Sequence, residues 1–290
     1  MVGVVLLKLL EMCPIRLAWF LKTTIASYNN MISVVTPVLN GAQTIERTIL
    51  SVQTEFCEYE HIIQDGLSSD GTLDIVARLI GSGRIRVFSE ADNGIYDAVS
   101  RGMAKAKGDI LCWLGSDDIY LPWTLSTVEA IFKARPDIQW ITGIPAWRLD
   151  GGRLVRVSPL APVFLRGAIA AGWQRTGRLG FLQQESMFWR RSLWEAVGAT
   201  ELIRRYRLAG DYHLWRAFAR ETRLHTVATV LAAMTLSEEQ ASNRLARDYL
   251  LEAGGDGRDT SREPAAWGRF LNRFLAVGLQ ARVLRPGRDF

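Results

Sequence analysis

Apolar positions in the first half of the chain follow two alternating periods. Short runs rich in β-branched residues predict buried strands at 32–40, 61–64, 85–88 and 110–114. Between these runs, apolar residues recur every three or four positions and predict helices, at Ile45, Thr48, Ile49 and Val52, at Leu73, Val76, Ala77 and Ile80, and at Ile95, Ala98, Val99 and Gly102. The order predicts an open α/β sheet, in which ligands bind beyond the carboxyl ends of the strands.

Acidic residues follow two of these predicted strands. Asp117 and Asp118 come at the end of one strand, and Asp65 ends another. Oxygen-only ligands suit Mg²⁺ or Mn²⁺, which bind one or two protein carboxylates and take water and substrate phosphates as further ligands. An isolated acidic pair can also simply cap the next helix. Its position beside a second acidic strand end favours a metal site for a phosphorylated ligand.

Several ordered segments resemble family 2 glycosyltransferases. They are Val35-Thr-Pro37-Val-Leu-Asn40, Asp65-Gly-Leu-Ser-Ser-Asp-Gly-Thr72, Asp92-Asn-Gly-Ile-Tyr-Asp97 and Ser116-Asp-Asp118, followed by 183–194 and 209–215, which are similar to the colanic-acid-type branch. The resemblance runs from about Ile32 to about Ser242. It implies the GT-A fold of nucleotide-diphospho-sugar transferases, an open, mixed and mainly parallel sheet flanked by helices.

The resemblance also implies a role for each matched residue. Asp65 would accept a hydrogen bond from the nucleotide base, although an Asp here can also simply stabilise the turn. Asp117 would contact the ribose or a metal-bound water, and Asp118 would ligate the Mg²⁺ or Mn²⁺ ion that neutralises the departing diphosphate. The residues expected to bind the nucleotide sugar are Pro37, Leu39, Asn40, Asp65, Asp92, Asn93, Gly94, Tyr96, Asp97, Ser116 and Asp117. Asp92-Asn93-Gly94 is also an ordinary turn into a helix.

Asp211 is the candidate general base, at the start of a predicted helix whose Leu214, Trp215 and Phe218 would face the core. The helix dipole favours an ionised carboxylate there, which is the state needed to remove a proton from an acceptor hydroxyl in an inverting transfer. An N-capping Asp without chemistry is the alternative. Gly210 stands where many relatives have Glu or Ser.

Three further residues are expected on the acceptor side: Gln184, Glu185 and Arg190. Gln184 stands where relatives often have His, so the resemblance constrains the acceptor contacts less than the donor site. The acceptor implied by the resemblance is a hydroxyl of a glycan or lipid-linked molecule, in the synthesis of a bacterial surface polysaccharide.

Other classes of protein are tested by the same segments. No G-x-G-x-x-G turn or phosphate loop follows the first strand, which excludes a dinucleotide-dependent dehydrogenase and a P-loop NTPase. A nucleotidyltransferase of related fold stays open, although a glycine-rich basic loop is missing. A non-catalytic nucleotide-sugar-binding module also stays open, and it would need no base at Asp211.

Composition and charge limit the partners. The 290 residues are 48% hydrophobic and 22% charged, and they carry a formal net charge of +5. The basic residues accompany no recognition motif, so a nucleic-acid partner is not expected. Arginines after the acidic core could face a lipid-linked acceptor or an anionic membrane, or simply solvent. Cys13, Cys57 and Cys112 lack metal-site spacing and suit a reduced cytoplasmic location, with the inner membrane face as the expected place of any peripheral contact.

The chain divides into three expected parts. Residues 1–30 form an N-terminal extension, which is either a non-native start or a membrane-surface segment. A spanning helix is not expected, because Lys8, Glu11 and Pro14 divide the apolar residues into runs shorter than the ~18 residues that such a helix needs. Residues 31–242 form the GT-A domain. Residues 243–290 form a C-terminal helical extension, with a linker at 253–259 and a helix at 267–283.

Overall fold

The computed structural model describes residues 30–53, 56–149, 153–159, 161–174, 182–236, 245–254 and 283–284. The strands are β1 (Ile32–Val38), β2 (Tyr59–Asp65), β3 (Ile85–Ser89), β4 (Ile110–Trp113), β5 (Ile119–Tyr120), β6 (Trp140–Thr142), β7 (Ala146–Leu149), β8 (Leu154–Val157), β9 (Phe188–Arg190), β10 (His225–Val227), β11 (Ala232–Leu236) and β12 (Val283–Leu284). The helices are α1 (Ile45–Val52), α2 (Thr72–Leu79), α3 (Ile95–Lys105), α4 (Thr124–Ala134), α5 (Arg166–Ala170), α6 (Arg191–Ala196), α7 (Ala199–Ile203), α8 (Gly210–Glu221) and α9 (Ala246–Glu252).

Eight strands form the main sheet, in the order β12-β10-β6-β9-β4-β1-β2-β3. Strands β4, β1, β2 and β3 are parallel, as are β6, β10 and β12, whereas β9 runs antiparallel to both of its neighbours. The predicted α/β architecture, with a mixed and mainly parallel sheet flanked by helices, is therefore confirmed.

Strand β1 lies in the middle of the parallel part and is buried along its whole length. Its penultimate residue is Pro37, which lacks an N–H for the ladder. Pairing with β4 ends at Val35, whose carbonyl oxygen accepts the Leu114 N–H at 2.9 Å. Pro37 faces the same side two residues later, where no strand is left to pair with, so no ladder bond is lost.

A cluster of buried tryptophans joins the sheet to α8. The ring centroid of Trp113 in β4 lies 5.3 Å from that of Trp189 in β9 and 5.6 Å from that of Trp215 in α8. Leu214, Trp215 and Phe218 are all buried, which confirms the core-facing side predicted for this helix. Aromatic packing of this kind fixes where the first turn of α8 lies relative to the end of β4.

A second sheet of four short strands, ordered β5-β11-β7-β8, covers the end of β4. Strand β11 pairs with β5 and β7 and brings Thr235 over the acidic residues that follow β4. These strands carry no repeated motif in the sequence, and they set one wall of the site described below.

Several expectations fall outside the described residues: nearly all of the N-terminal extension, the last residues (237–242) of the expected GT-A domain, most of the linker and most of the helix predicted at 267–283. Val283, expected at the end of that helix, instead pairs with Thr226 in the main sheet as part of β12. The C-terminal part of the chain therefore contributes a strand as well as helix α9. Across the described ranges, no helix has the length and apolarity needed to cross a membrane.

Candidate active site

The acidic pair lies where β4 ends and is held by two other elements, β11 and α1. Asp118 is only 8% exposed, and its Oδ1 accepts the backbone N–H of Thr235 at 2.8 Å. The Thr48 hydroxyl of α1 lies 2.9 Å from the carbonyl oxygen of Ser116 and 2.8 Å from that of Asp118. Burial, together with the carboxylates of Asp117 and Glu185, raises the pKa of Asp118 well above its usual value.

The residues present fit a divalent cation. A Cβ on Gly115 would lie 3.0 Å from Asp117 Oδ1 and 3.1 Å from Asp118 Oδ2. Both carboxylates therefore lie close to the backbone of Gly115, which has no side chain. The donor atoms are oxygens, and they carry negative charge that a cation would offset. Within the described ranges, no three His, Cys, Asp or Glu side chains are placed to hold a metal by themselves. Oxygens of a bound ligand and water would have to complete the coordination.

Asp65 is completely buried at the end of β2. Its carboxylate accepts the backbone N–H groups of Leu67, at 3.1 Å, and Ser68, at 3.2 Å, and the Ser89 hydroxyl at 2.6 Å. These bonds correspond to the turn-stabilising role that the sequence left open. A contact between Asp65 and a nucleotide base stays a prediction.

The loop after β1 is tied to the same turn. Asn40 has a left-handed backbone (φ 54°), its N–H donates to Ser68 Oγ at 2.8 Å, and its Oδ1 accepts the Ser69 N–H at 2.9 Å. Leu39 is 62% exposed beside this loop, whereas Pro37 is buried behind it. Leu39 is therefore available to a ligand, whereas Pro37 is not.

Two carboxylates at the start of α3, one in the preceding turn and one in the first turn of the helix, lie in different settings. Asp92 Oδ1 accepts the Gly94 N–H at 2.8 Å, and a Cβ on Gly66 would lie 2.7 Å from Asp92 Oδ2, which places Asp92 beside the Asp65 turn. Asp97 is 5% exposed and pairs with Arg204 at 2.7 Å.

Asp97 has two further partners, one in the turn before α3 and one in α3 itself. It accepts the Asn93 N–H and pairs with Arg101, both at 3.1 Å. Burial alone would raise the pKa of Asp97, but these hydrogen bonds and the two arginines more than offset it and lower the pKa. The geometry makes Asp97 an anchor of the turn rather than a group that faces a ligand.

Asp211 opens α8 and meets Tyr96 of α3. Tyr96 Oη lies 2.9 Å from Asp211 Oδ1 and 3.0 Å from the carbonyl oxygen of Leu208. Part of Asp211 stays accessible to solvent. Burial raises the pKa of Asp211 to about 6, although hydrogen bonds from the Tyr212 backbone and the Tyr96 hydroxyl act in the opposite direction. Such a carboxyl group can exchange a proton near neutral pH.

The turn before β9 connects the acidic pair with Asp211. Gln184 Nε2 donates to the carbonyl oxygen of Trp113 at 2.6 Å. Glu185 is 3% exposed, and no hydrogen-bond partner for its Oε1 exists among the residues that the structure describes. Burial raises the pKa of Glu185 to about 8, with the carboxylates of Asp117 and Asp211 adding to the effect. Glu185 therefore lies between the candidate metal ligands and the candidate base.

Arg190, expected on the acceptor side, is buried in the structure. Arg190 is 1% exposed, its guanidinium donates to the carbonyl oxygens of Ile138 and Phe132 at 2.9 and 2.8 Å, and it pairs in register with Ile110 at the first residue of β4. The acidic pair follows the opposite end of that strand. Arg190 therefore lies away from the site, and its charge is used to tie α4 and the loop before β6 to β9.

Several residues of the site carried no sequence signal for it. Thr48 belongs to the periodic face of α1, where a small buried hydroxyl is hard to distinguish from an apolar side chain. Thr235 follows no recognised motif. Tyr249 of α9 has its hydroxyl 3.5 Å from Asp211 Oδ1, although it lies in the segment expected to be a separate extension.

The mixed, mainly parallel α/β sheet flanked by helices has the architecture of a GT-A-like fold, and acidic residues gather beyond the carboxyl ends of its strands β2 and β4. The solved structure of S. aureus TarS residues 1–349 with UDP-GlcNAc matches 84% of this chain and 72% of its own, with a TM-score of 0.58 and 17% identity. A Pyrobaculum calidifontis mannosyltransferase with GDP-Man and Mn²⁺ matches 93% of this chain and 81% of its own, with a TM-score of 0.56 and 15% identity. These similarities establish the fold.

The family follows from the sequence comparison. The model of glycosyl transferase family 2 matches residues 33–196, more than half of the chain, so the chain belongs to that family. A Mycobacterium bovis protein described as a PGL/p-HBAD biosynthesis glycosyltransferase is 29% identical over 187 residues, which cover 63% of this chain and 67% of that protein. An uncharacterized glycosyltransferase of Mycobacterium tuberculosis is 34% identical over 144 residues, which cover 48% of this chain and 53% of that protein. Assignment to the colanic-acid-type branch stays a prediction.

Proposed function

We propose that this protein is an inverting, metal-dependent glycosyltransferase that moves a sugar from a nucleotide-diphosphate donor to a hydroxyl of a glycan or lipid-linked acceptor. The observation that carries this proposal is the line of carboxylates from Asp118 through Glu185 to Asp211. The family membership and the nucleotide sugars bound by the two solved structures named above support the same donor class. Synthesis of a bacterial surface polysaccharide, at the cytoplasmic side of the membrane, is the proposed setting.

The donor would lie over the ends of β1, β2 and β4. Leu39 and the Asp65 turn would border the base, and the Asp92 turn would face the sugar. Asp118, with Asp117 beside it, would hold the Mg²⁺ or Mn²⁺ ion through carboxylate oxygens. When bound, that ion supplies positive charge that stabilises the departing diphosphate.

Asp211 would act on the acceptor. Its carboxylate takes the proton of the acceptor hydroxyl while that oxygen bonds to the anomeric carbon, and the bond from that carbon to the diphosphate oxygen breaks on the opposite face. A pKa of about 6 leaves Asp211 roughly nine-tenths ionised at pH 7, while keeping it basic enough to accept the proton. The Tyr96 hydroxyl holds the carboxylate in place for this step.

The experiment that tests the proposal is a screen of nucleotide sugars against the full chain. We expect at least one of them to raise the Tm only when Mn²⁺ or Mg²⁺ is present, since a ligand that binds only the folded state stabilises it. The same compound should be hydrolysed slowly without acceptor. Asp118→Ala should lose the metal-dependent shift, while Asp74→Ala, a change at an exposed carboxylate of α2, should keep it.

Two results would contradict the proposal. One is a complete absence of metal-dependent stabilisation and hydrolysis across the common uridine, guanosine and thymidine diphosphate sugars. The other applies once a hydroxyl compound that serves as acceptor has been found: the protein binds and turns over the nucleotide sugar, and Asp211→Asn leaves that turnover unchanged. Binding without turnover in any form would favour the alternative of a nucleotide-sugar-binding module.

A further inference from the structure

Helix α9 follows the family-matched segment 33–196, yet it contacts the candidate base directly. Tyr249 Oη lies 3.5 Å from Asp211 Oδ1, the same oxygen that Tyr96 approaches at 2.9 Å. The Tyr249 ring also packs against a small buried cluster formed by Ala209, Tyr212 and Ala253. Two hydroxyls from different helices therefore meet one carboxylate oxygen and restrict its rotation.

A second residue of α9 holds the backbone that leads into α8. The Glu252 carboxylate accepts the N–H groups of Arg207 at 2.8 Å, Leu208 at 2.6 Å and Ala209 at 2.5 Å. Burial would raise the pKa of Glu252, but these three hydrogen bonds outweigh it and lower the pKa, so the group is ionised at neutral pH. A single carboxylate thus fixes the three residues that precede Gly210 and Asp211.

The backbone of Glu252 adds a link to α8. His213 Nε2 lies 3.0 Å from the carbonyl oxygen of Glu252, and the His213 ring stacks on Tyr206 with the ring centroids 3.8 Å apart. The contacts of Glu252 thus reach residues on both sides of Asp211. They restrain the first turn of α8, where the base lies.

We propose that α9 is part of the catalytic site, with Tyr249 and Glu252 as positioning residues that hold Asp211 ready to take the acceptor proton. This inference rests on the proposed function, because it assigns a purpose to the restraint of Asp211. Tyr249 donates to the ionised form of the carboxylate, which stabilises that form. Glu252 acts one step further away, through the backbone of 207–209.

The groups that face Asp211 come from three elements: Tyr96 from α3, Tyr249 from α9 and Glu185 from the turn before β9. The arginines next to α8 are used elsewhere. Arg166 of α5 donates to the carbonyl oxygen of Ala219 near the far end of α8, and Arg204 after α7 pairs with Asp97. Removing the Tyr249 hydroxyl should therefore shift the titration of Asp211 in one direction, upward, because a donor to the ionised form is lost.

The test compares Tyr249→Phe with Tyr212→Phe in the full chain. Both changes keep the ring and remove one buried hydroxyl, but the Tyr212 hydroxyl donates to the Gly172 carbonyl oxygen at 3.1 Å and leaves Asp211 alone. The titration of Asp211 is followed by carbon NMR of aspartate-labelled protein, with the signal assigned by its loss in Asp211→Asn. We expect an upward shift of roughly half a unit to one unit in Tyr249→Phe and none in Tyr212→Phe.

Kinetics supply the second readout. The acid limb of the kcat/KM profile for transfer should move upward with the NMR titration, giving about a two- to fivefold loss near pH 6 and near-normal rates at pH 8. The KM for the donor should not change. Glu252→Gln should lower kcat at all pH values, because its amide cannot accept the three N–H groups as the carboxylate does.

The outcomes separate the two proposals. An unchanged titration of Asp211 in Tyr249→Phe, or a loss of rate that is the same at every pH, would overturn the role of Tyr249. If the wild-type protein transfers no sugar from any donor, the proposed function is overturned. A higher pKa of Asp211 in Tyr249→Phe would still support the contact between Tyr249 and Asp211. Wild-type kinetics in Glu252→Gln would remove Glu252 from the inference.

Discussion

A side chain at position 210 should separate Tyr96 from Asp211. Gly210 begins α8 with no side chain, and a Cβ there would lie 2.8 Å from Cγ and Cδ1 of the Tyr96 ring. Gly210 is not among the glycines with positive φ, so alanine suits its backbone and only the contact opposes it. The Tyr96 ring therefore accounts for a glycine at position 210, where the family resemblance implied Glu or Ser.

The size of the effect follows from this contact. Carbon atoms pack at about 3.5–4.0 Å, so Gly210→Ala requires the Tyr96 ring to retreat by roughly 0.7–1.2 Å. A movement of that size would lengthen the 2.9 Å distance between Tyr96 Oη and Asp211 Oδ1 beyond hydrogen-bonding range. Overpacking costs about 1–3 kcal/mol, whereas loss of a glycine from the unfolded chain returns only about 0.4–1 kcal/mol. The variant should therefore be less stable by about 1–2 kcal/mol.

The assay joins chemical denaturation with the pH dependence of transfer. Gly210→Ala should lower the free energy of unfolding, and loss of the Tyr96 hydrogen bond should move the acid limb of kcat/KM to higher pH. Gly167→Ala in α5 is the matched control, because a Cβ there has no neighbour within 4 Å and should leave transfer unchanged while stabilising by about 0.4–1 kcal/mol. Equal stability and equal pH profiles for Gly210→Ala and wild type would refute the reasoning.

Three further predictions concern single carboxylates. Asp211→Asn should keep donor binding in calorimetry but lower transfer by roughly 10²–10⁴-fold, the usual loss for a general base, and wild-type turnover would remove Asp211 from that role. Asp118→Ala should abolish Mn²⁺-supported binding of a nucleoside diphosphate without unfolding the protein, and calorimetry with unchanged metal-dependent affinity in a folded variant would exclude Asp118 as a ligand. Glu185→Gln should stabilise the metal-free protein at pH 8 by on the order of a few kcal/mol but barely at pH 4, since a folded-state pKa raised from 4.5 to about 8 makes the native protein lose stability as pH rises through that window. Denaturation curves whose difference from wild type does not grow between pH 4 and pH 8 would contradict the last prediction.

Local periodicity was sufficient to predict the parallel part of the sheet. β1, β2, β3 and β4 are each at least four residues long, and the helices between them carry complete apolar faces. The remaining strands were not predicted from the sequence, because pairing with neighbouring strands rather than local sequence creates them. β9 has three residues and lies between β4 and β6, and β12 has two residues and pairs with β10 more than fifty positions earlier. Segments this short carry no measurable alternation.

The residues of the site also divide into those that the sequence predicted and those that it did not. Asp65 and the pair Asp117-Asp118 were found because each follows a strand that the periodicity predicts. Arg190 was expected on the acceptor side from the family resemblance, but its guanidinium is buried and donates to backbone carbonyl oxygens, whereas charged residues are usually exposed. Tyr249 could not be predicted, since only the docking of α9 brings it to Asp211 and no spacing in the sequence records that docking.

The two halves of the site are joined by a rigid contact rather than by a loop. Trp113 precedes Asp117 by four residues, and Trp215 follows Asp211 by four residues, so each tryptophan lies close to one of the two functional carboxylates. Their rings stack at 5.6 Å with an angle of 10° between the planes. Side chains packed this closely hold the elements that carry them, here β4 and α8, at a fixed separation. Inversion requires the base and the leaving group to stay on opposite faces of the anomeric carbon, and a fixed separation between Asp211 and the acidic pair is what the proposed reaction needs.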